Sequence, residues 1–164
     1  MDYNINEIQN IENDLSGIEY VMIKVGDEMF GINIAYIDNI VRYQKFTRVP
    51  KAQSYFKGVI NLRGEIISVM SLRLKLGLPD DKITKNTRII IVKPEEETQI
   101  GIIVDEIKEV IELFDKDVEK NVNSNPDGGD VKVSYVDGVG KYGNLLVSLI
   151  NIRNLIIDKD MVSV

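Results

Sequence analysis

The stretch GVINLRGEIISVMSLRLKLGLP, Gly58 to Pro79, leaves the chain few ways to fold. Val59, Ile60 and Leu62 lead into Arg63-Gly64, where a glycine free to take positive φ lets the chain reverse. Ile66, Ile67, Val69 and Met70 then continue as a buried strand of mostly β-favouring residues. Ser71 is placed to cap a helical turn through Leu72–Leu76, which Gly77 ends and Pro79 prevents from resuming. The stretch predicts a hairpin feeding a short helix. Arg63 is its odd residue, because a charge set between two apolar runs must reach water or meet a partner.

The same grammar repeats along the chain. EYVMIKV (Glu19–Val25), a turn at Gly26-Asp27-Glu28 and Met29–Ile32 read as a hairpin. A brief turn and a strand ending near Arg42-Tyr43 follow, and Lys45–Lys57, with Pro50, is a surface connection. Asp80–Asn86 is a loop, and Thr87–Lys93 is a strand whose aliphatic centre predicts burial on both faces. Pro94–Thr98 is an acidic turn, and Gln99–Val104 returns as the hairpin partner. Asp105–Phe114 has its apolar residues at helical spacing, yet it stands in a row of short strands, and a bent strand with a bulge is expected. Asn121–Asp130 is turn-rich. Val131–Val139 and Asn144–Leu149 should pair around Gly140–Gly143, and Asn151 should cap a terminal helix through Lys159. Short strands at this spacing, with one or two short helices, predict an all-β chain of closed or semi-closed barrels.

Composition removes several chemistries. The 164 residues include no cysteine and no histidine, which excludes thiol nucleophiles, imidazole bases, disulfides and nearly all zinc sites. A net charge of −6 argues against general nucleic-acid binding. No apolar run is long enough to span a bilayer, and MDYNINEIQN lacks the basic start and apolar core of a secretory signal, so a cytoplasmic protein without direct membrane insertion is expected. Residues 1–17 read as a flexible, polar tail.

Three motifs have ordinary explanations. Gly138-Val-Gly140-Lys-Tyr-Gly143 satisfies G-x-G-x-x-G but leads into a β-run instead of a helix, so it reads as a hairpin turn. Asn121, Asn123, Asn125 and Asp127 alternate like calcium ligands, but Pro126 occupies the place of the sharp-turn glycine and Lys132 that of the bidentate glutamate. The acidic groups around Glu95–Glu97, Asp105-Glu106 and Asp115–Glu119 have no second catalytic group beside them. No catalytic residue, metal site or cofactor is expected. Arg42, Arg48, Arg63 and Arg73, with Tyr43, Tyr55 and Phe56, suit a protein interface better than a nucleic-acid groove. A generic SH3- or OB-like module for peptide or single-stranded nucleic acid is the alternative reading.

Gly58-Val-Ile-Asn-Leu-Arg-Gly64, then Val69, Leu72-Arg73 and Leu76-Gly77-Leu78, then Gly101-Ile-Ile-Val-Asp105 with Val110, then Gly138-Val-Gly140, together resemble the CheW family of bacterial chemotaxis coupling proteins. The resemblance implies two intertwined five-stranded SH3-like β-barrels with a hydrophobic seam, a short inter-strand helix and a C-terminal helix. Residues 18–160 would form one domain, with a second barrel over approximately 38–110 and a first barrel from the remaining N- and C-terminal strands. It implies a non-enzymatic adaptor, recruited to membrane-associated receptor arrays, that joins the cytoplasmic tip of a chemoreceptor to the regulatory domain of the histidine kinase CheA. Receptor contact would fall on Ile37, Asn39, Ile40, Asn61, Leu62, Arg63 and Gly64, and kinase contact on Arg42, Tyr43, Gly58, Val59 and Arg73. The family commonly has carboxylates where this chain has Asn39, Ser71 and Asn151. The first two losses would remove possible partners of Arg63 or Arg73.

Overall fold

The computed structural model describes residues 4–5, 17–50, 52–120 and 135–156. Strands β1 (Ile18–Val25) and β2 (Glu28–Asn33) form the expected hairpin, and a 3-10 turn at Ile34–Tyr36 leads to β3 (Ile37–Arg42). Asn33 starts that turn by accepting the Ala35 N–H through its side-chain oxygen. The Gly58–Pro79 stretch gives β4 (Phe56–Leu62), β5 (Glu65–Ser71) and helix α1 (Leu72–Lys75). Ser71 Oγ caps α1 by accepting the Leu74 N–H. There follow β6 (Arg88–Glu95), β7 (Thr98–Val104), β8 (Glu106–Leu113), β9 (Val118–Lys120), β10 (Val136–Tyr142), β11 (Leu145–Ile150) and helix α2 (Ile152–Ile156). Within Asp105–Phe114 the chain forms strand β8 and no helix, as expected, and its pairing with β1 slips in register at Met22/Ile23, where a bulge breaks the helical-looking period.

Two expectations change. Ile66 is not buried; it is 67% exposed, because β5 turns that residue outward beside the hairpin tip. The glycines at 138 and 140 lie within β10, and the turn itself is confined to Gly143-Asn144. The calcium-like spacing at 121–132, most of the 1–17 tail and residues 157–159 of the terminal helix lie outside the described residues.

The strands form two sheets, in the orders β8-β1-β2-β11-β10-β9 and β3-β6-β7-β5-β4. Each is an SH3-like barrel, here barrel 1 and barrel 2, and barrel 1 carries the three-residue β9 as a sixth strand. They are intertwined because each half of the chain lends its later strands to the hairpin of the other: β11 runs parallel to β2, and β5 parallel to β7. The later units of the two halves, β4–β5–α1 and β10–β11–α2, repeat one another at an offset of 80 positions, with Gly58, Val59, Ser68 and Arg73 returning as Gly138, Val139, Ser148 and Arg153. Structure follows that repeat closely. The N–H of Ser71 donates to Tyr55 O and that of Asn151 to Tyr135 O, both at 2.7 Å.

Each barrel is closed in the same way. Thr47 bridges to Val59 in barrel 2, and β9 pairs with β10 in barrel 1. The repeated glycine sits where these crossings are tightest: a Cβ on Gly58 would stand 2.1 Å from Thr47 O, and one on Gly138 2.7 Å from Glu119 O. The G-x-G-x-x-G match therefore reflects close backbone approach.

Among the described residues, three apolar clusters form. Barrel 2 encloses Ile60, Ile67, Val69, Ile89, Ile91 and Ile103, and barrel 1 encloses Met22, Ile111, Leu113, Val147 and Leu149. The third and largest lies between the sheets and takes Ile23, Phe30 and Ile32 from one, Met70, Ile90 and Ile102 from the other, and Leu72 and Leu155 from the helices. With about 1.5–3 kcal/mol for each fully buried aliphatic side chain, most apolar stabilisation lies in this seam. The two barrels thus depend on each other. It also explains why Ile89–Val92 is buried on both faces, one turned to the barrel interior and one to the seam.

Candidate protein-interaction surface

The β4–β5 hairpin is the most exposed part of the organising stretch. Leu62 pairs with Glu65, which leaves Arg63-Gly64 as a two-residue loop. Arg63 has φ 53° and Gly64 φ 85°, the doubly positive pattern of a type I′ turn. Asn61 supports it by accepting the Gly64 N–H on its side-chain oxygen at 3.0 Å. A left-handed conformation at a non-glycine residue costs about 1–2 kcal/mol, and here it holds Arg63 out into solvent. Arg63 has no ion pair among the described residues, and Ile66 lies exposed beside it.

Strand directions sort the sequence-predicted contact residues into two groups. β3 begins at Ile37, and the β6–β7 turn and the Arg63-Gly64 turn lie at that same end of barrel 2. A polar chain ties them together: Lys93 Nζ is 3.5 Å from Asp38, and Gln99, with its amide turned to suit, accepts from Lys93 and donates to Glu65. At this end Ile37 is half-buried against the seam, Asn39 accepts the Ile40 N–H, and Ile40 faces outward. Arg42, Tyr43, Gly58 and Val59 lie at or toward the opposite end. There Tyr43 meets Phe46 edge-on, and Val59 exchanges both backbone bonds with Thr47. Gly58 is buried beneath that crossing and offers no side chain to a partner.

Arg73 is separate from both groups. Its Nε and Nη2 donate to the two carboxylate oxygens of Asp105 at 2.8 and 2.6 Å, and Gly26 N–H adds a third bond at 2.9 Å. The expectation that loss of a carboxylate at 71 could leave Arg73 unpaired is corrected, since the partner comes from the β7–β8 connection. Burial opposes ionisation of Asp105, but the Arg73 and Gly26 donors outweigh it and hold its carboxyl below the usual range. Sequence could not join positions 73 and 105, whose meeting depends on the parallel β5–β7 pairing.

The loop after α1 is also more engaged than its composition suggests. Lys57 pairs with Asp80, and that bond holds the Asp80 carboxyl below its ordinary range. Asp81 turns its carboxylate inward beside Ser71 without closing a hydrogen bond, and burial pushes its pKa up.

The CheW-like domain family matches residues 19–160, nearly all of the β structure described above. The chain belongs to the CheW-like family. It is similar to the chemotaxis protein CheW of Bacillus subtilis, 35% identical over 147 residues that cover 88% of this chain and 90% of that protein. It is also similar to the chemotaxis protein CheW of Helicobacter pylori, 31% identical over 85% of this chain and 81% of the relative. The crystal structure of the scaffolding protein TtCheW from Thermoanaerobacter tengcongensis superposes with a TM-score of 0.77 at 26% identity, over 88% of this chain and 95% of that one. Membership supports a chemotaxis adaptor. No helix among the described residues is long and apolar enough to cross a membrane.

Proposed function

We propose that this chain is a non-enzymatic coupling adaptor that binds a chemoreceptor cytoplasmic tip and the regulatory domain of the histidine kinase CheA, at receptor arrays on the cytoplasmic side of the membrane. The observation that carries this reading is the hairpin tip, where a left-handed Arg63 is presented without an intramolecular charge partner among the described residues. Receptor contact is assigned to the end of barrel 2 with Ile37, Asn39, Ile40 and Asn61–Gly64. Kinase contact is assigned to the other end, through Arg42, Tyr43 and Val59, with Gly58 setting the backbone beneath them. Arg73 supports that region through Asp105 more than it reaches outward.

The mechanism follows from rigidity. Two partners held on one seam-locked barrel pair gain effective concentration, and a shift at one end reaches the other through the continuous β3-β6-β7-β5 ladder. Sedimentation of the full chain with a receptor-tip fragment and the kinase regulatory domain tests this. A ternary complex is expected; failure to bind either partner, or mutual exclusion of the two, would overturn it.

A further inference from the structure

Arg63 has no ion pair among the described residues, although Glu65 is the carboxylate nearest to it in sequence, with only Gly64 between them. Both side chains are exposed at the hairpin tip. A surface pair between them would be weak, but it would compensate the one charge that the left-handed turn holds out.

Glu65 is engaged elsewhere. Its carboxylate accepts from the Gln99 side-chain amide at 2.8 Å, and the Gln99 oxygen accepts from Lys93 at 3.2 Å. Lys93 is itself placed by Asp38, 3.5 Å away. With its oxygen turned to the ammonium, the amide has its NH2 left for Glu65. One residue comes from each of β5, β7, β6 and β3, in the order in which those strands neighbour one another. Glu65 and Gln99 stand two positions from Ile67 and Gly101, which face the inside of barrel 2. Glu65 therefore leaves β5 on its inward face, whereas Ile66 beside it faces out.

Barrel 1 has neither the arginine nor this arrangement. Its β10–β11 turn puts Gly143 in the place of Arg63 and Leu145 in that of Glu65. Ser148 pairs with Phe30 as Ser68 pairs with Ile100, which puts Met29 in the place of Gln99. Arginine, carboxylate and amide are absent together. An amide serving only to close a barrel end would have no reason to follow the arginine.

We propose that Gln99 is a positioning residue that keeps Glu65 away from Arg63 and so leaves the arginine's charge for a carboxylate of the receptor tip. The use made of Arg63 rests on the receptor reading above, whereas the withholding of Glu65 is a property of this chain alone.

The test follows the Arg63 Nε–Hε signal by NMR in the full chain and in the variants Glu65→Gln, Gln99→Leu and the two combined. Glu65→Gln should leave that signal in place in the wild-type background and move it in the Gln99→Leu background, where the released carboxylate reaches the arginine. A change in neither background, or an equal change in both, would overturn the proposal. In calorimetry with a receptor-tip fragment, Gln99→Leu should weaken binding by about threefold, the size of effect a surface pair commands. Adding Glu65→Gln should restore the affinity to within about twofold. A loss that Glu65→Gln does not restore would make Gln99 a direct contact or a support of the fold and overturn its positioning role. If Arg63→Ala itself leaves receptor binding unchanged, the receptor reading falls and the NMR comparison alone decides this inference.

Discussion

Arg73 and Arg153 occupy the same place in two copies of one structural unit, yet they do different work. Arg73 grips Asp105 with two bonds, whereas Arg153 is exposed with no ion pair among the described residues. Lys57 and Asp137, 80 positions apart, differ in the same sense: Lys57 is paired with Asp80, whereas Asp137 has no ion pair among the described residues. The shared scaffold fixes where such groups stand. Side-chain chemistry then decides whether a site is satisfied within the chain or left for a partner.

The largest effect is expected where the repeat is most constrained. Gly58→Ala should cost more than about 4 kcal/mol, because its Cβ would collide with Thr47 O and its φ is 149°. Gly138→Ala meets a looser crossing, 2.7 Å from Glu119 O, and should cost about 2–3 kcal/mol. Chemical denaturation of both variants checks the order, and equal losses would break the comparison.

Next come the arginines. Arg73→Ala should lose about 2 kcal/mol at neutral pH, and Arg153→Ala less than about 0.5. Because the Asp105 carboxyl is depressed in the fold, its contribution is present above about pH 4 and is lost as pH falls through the folded value. The gap between wild type and Arg73→Ala should therefore shrink in acid, as denaturation midpoints across pH would show.

Asp81 should act in the opposite direction and more weakly. Its raised pKa means the folded state prefers the proton, so the carboxylate lowers stability as pH rises above about 4. Asp81→Asn should gain less than about 1 kcal/mol at pH 7 after solvent screening, with no gain near pH 3. A loss at neutral pH would show that the carboxylate is satisfied.

Local signals carried much of this fold. The Arg63-Gly64 turn, the Ser71 and Asn151 caps and the doubly buried Ile89–Val92 strand each follow from residues adjacent in sequence. What depended on distance was hidden. The Arg73–Asp105 pair requires two strands to lie side by side, and the exposure of Ile66 depends on where barrel 2 stops covering β5. The 80-residue repeat was present in the letters, in the spacing of Gly58, Ser68 and Arg73 against Gly138, Ser148 and Arg153. Its few identities become meaningful once both copies are seen to form the same bulge, turn and cap.

The functional account rests on barrel 2 serving different partners at its two ends. The direct measurement is the affinity of Arg63→Ala for a receptor-tip fragment and, separately, for the kinase regulatory domain, by calorimetry on the full chain. Receptor binding should fall by roughly tenfold or more while kinase binding stays within about twofold. Equal losses for both partners, or a loss confined to the kinase, would contradict the assignment of the hairpin to the receptor.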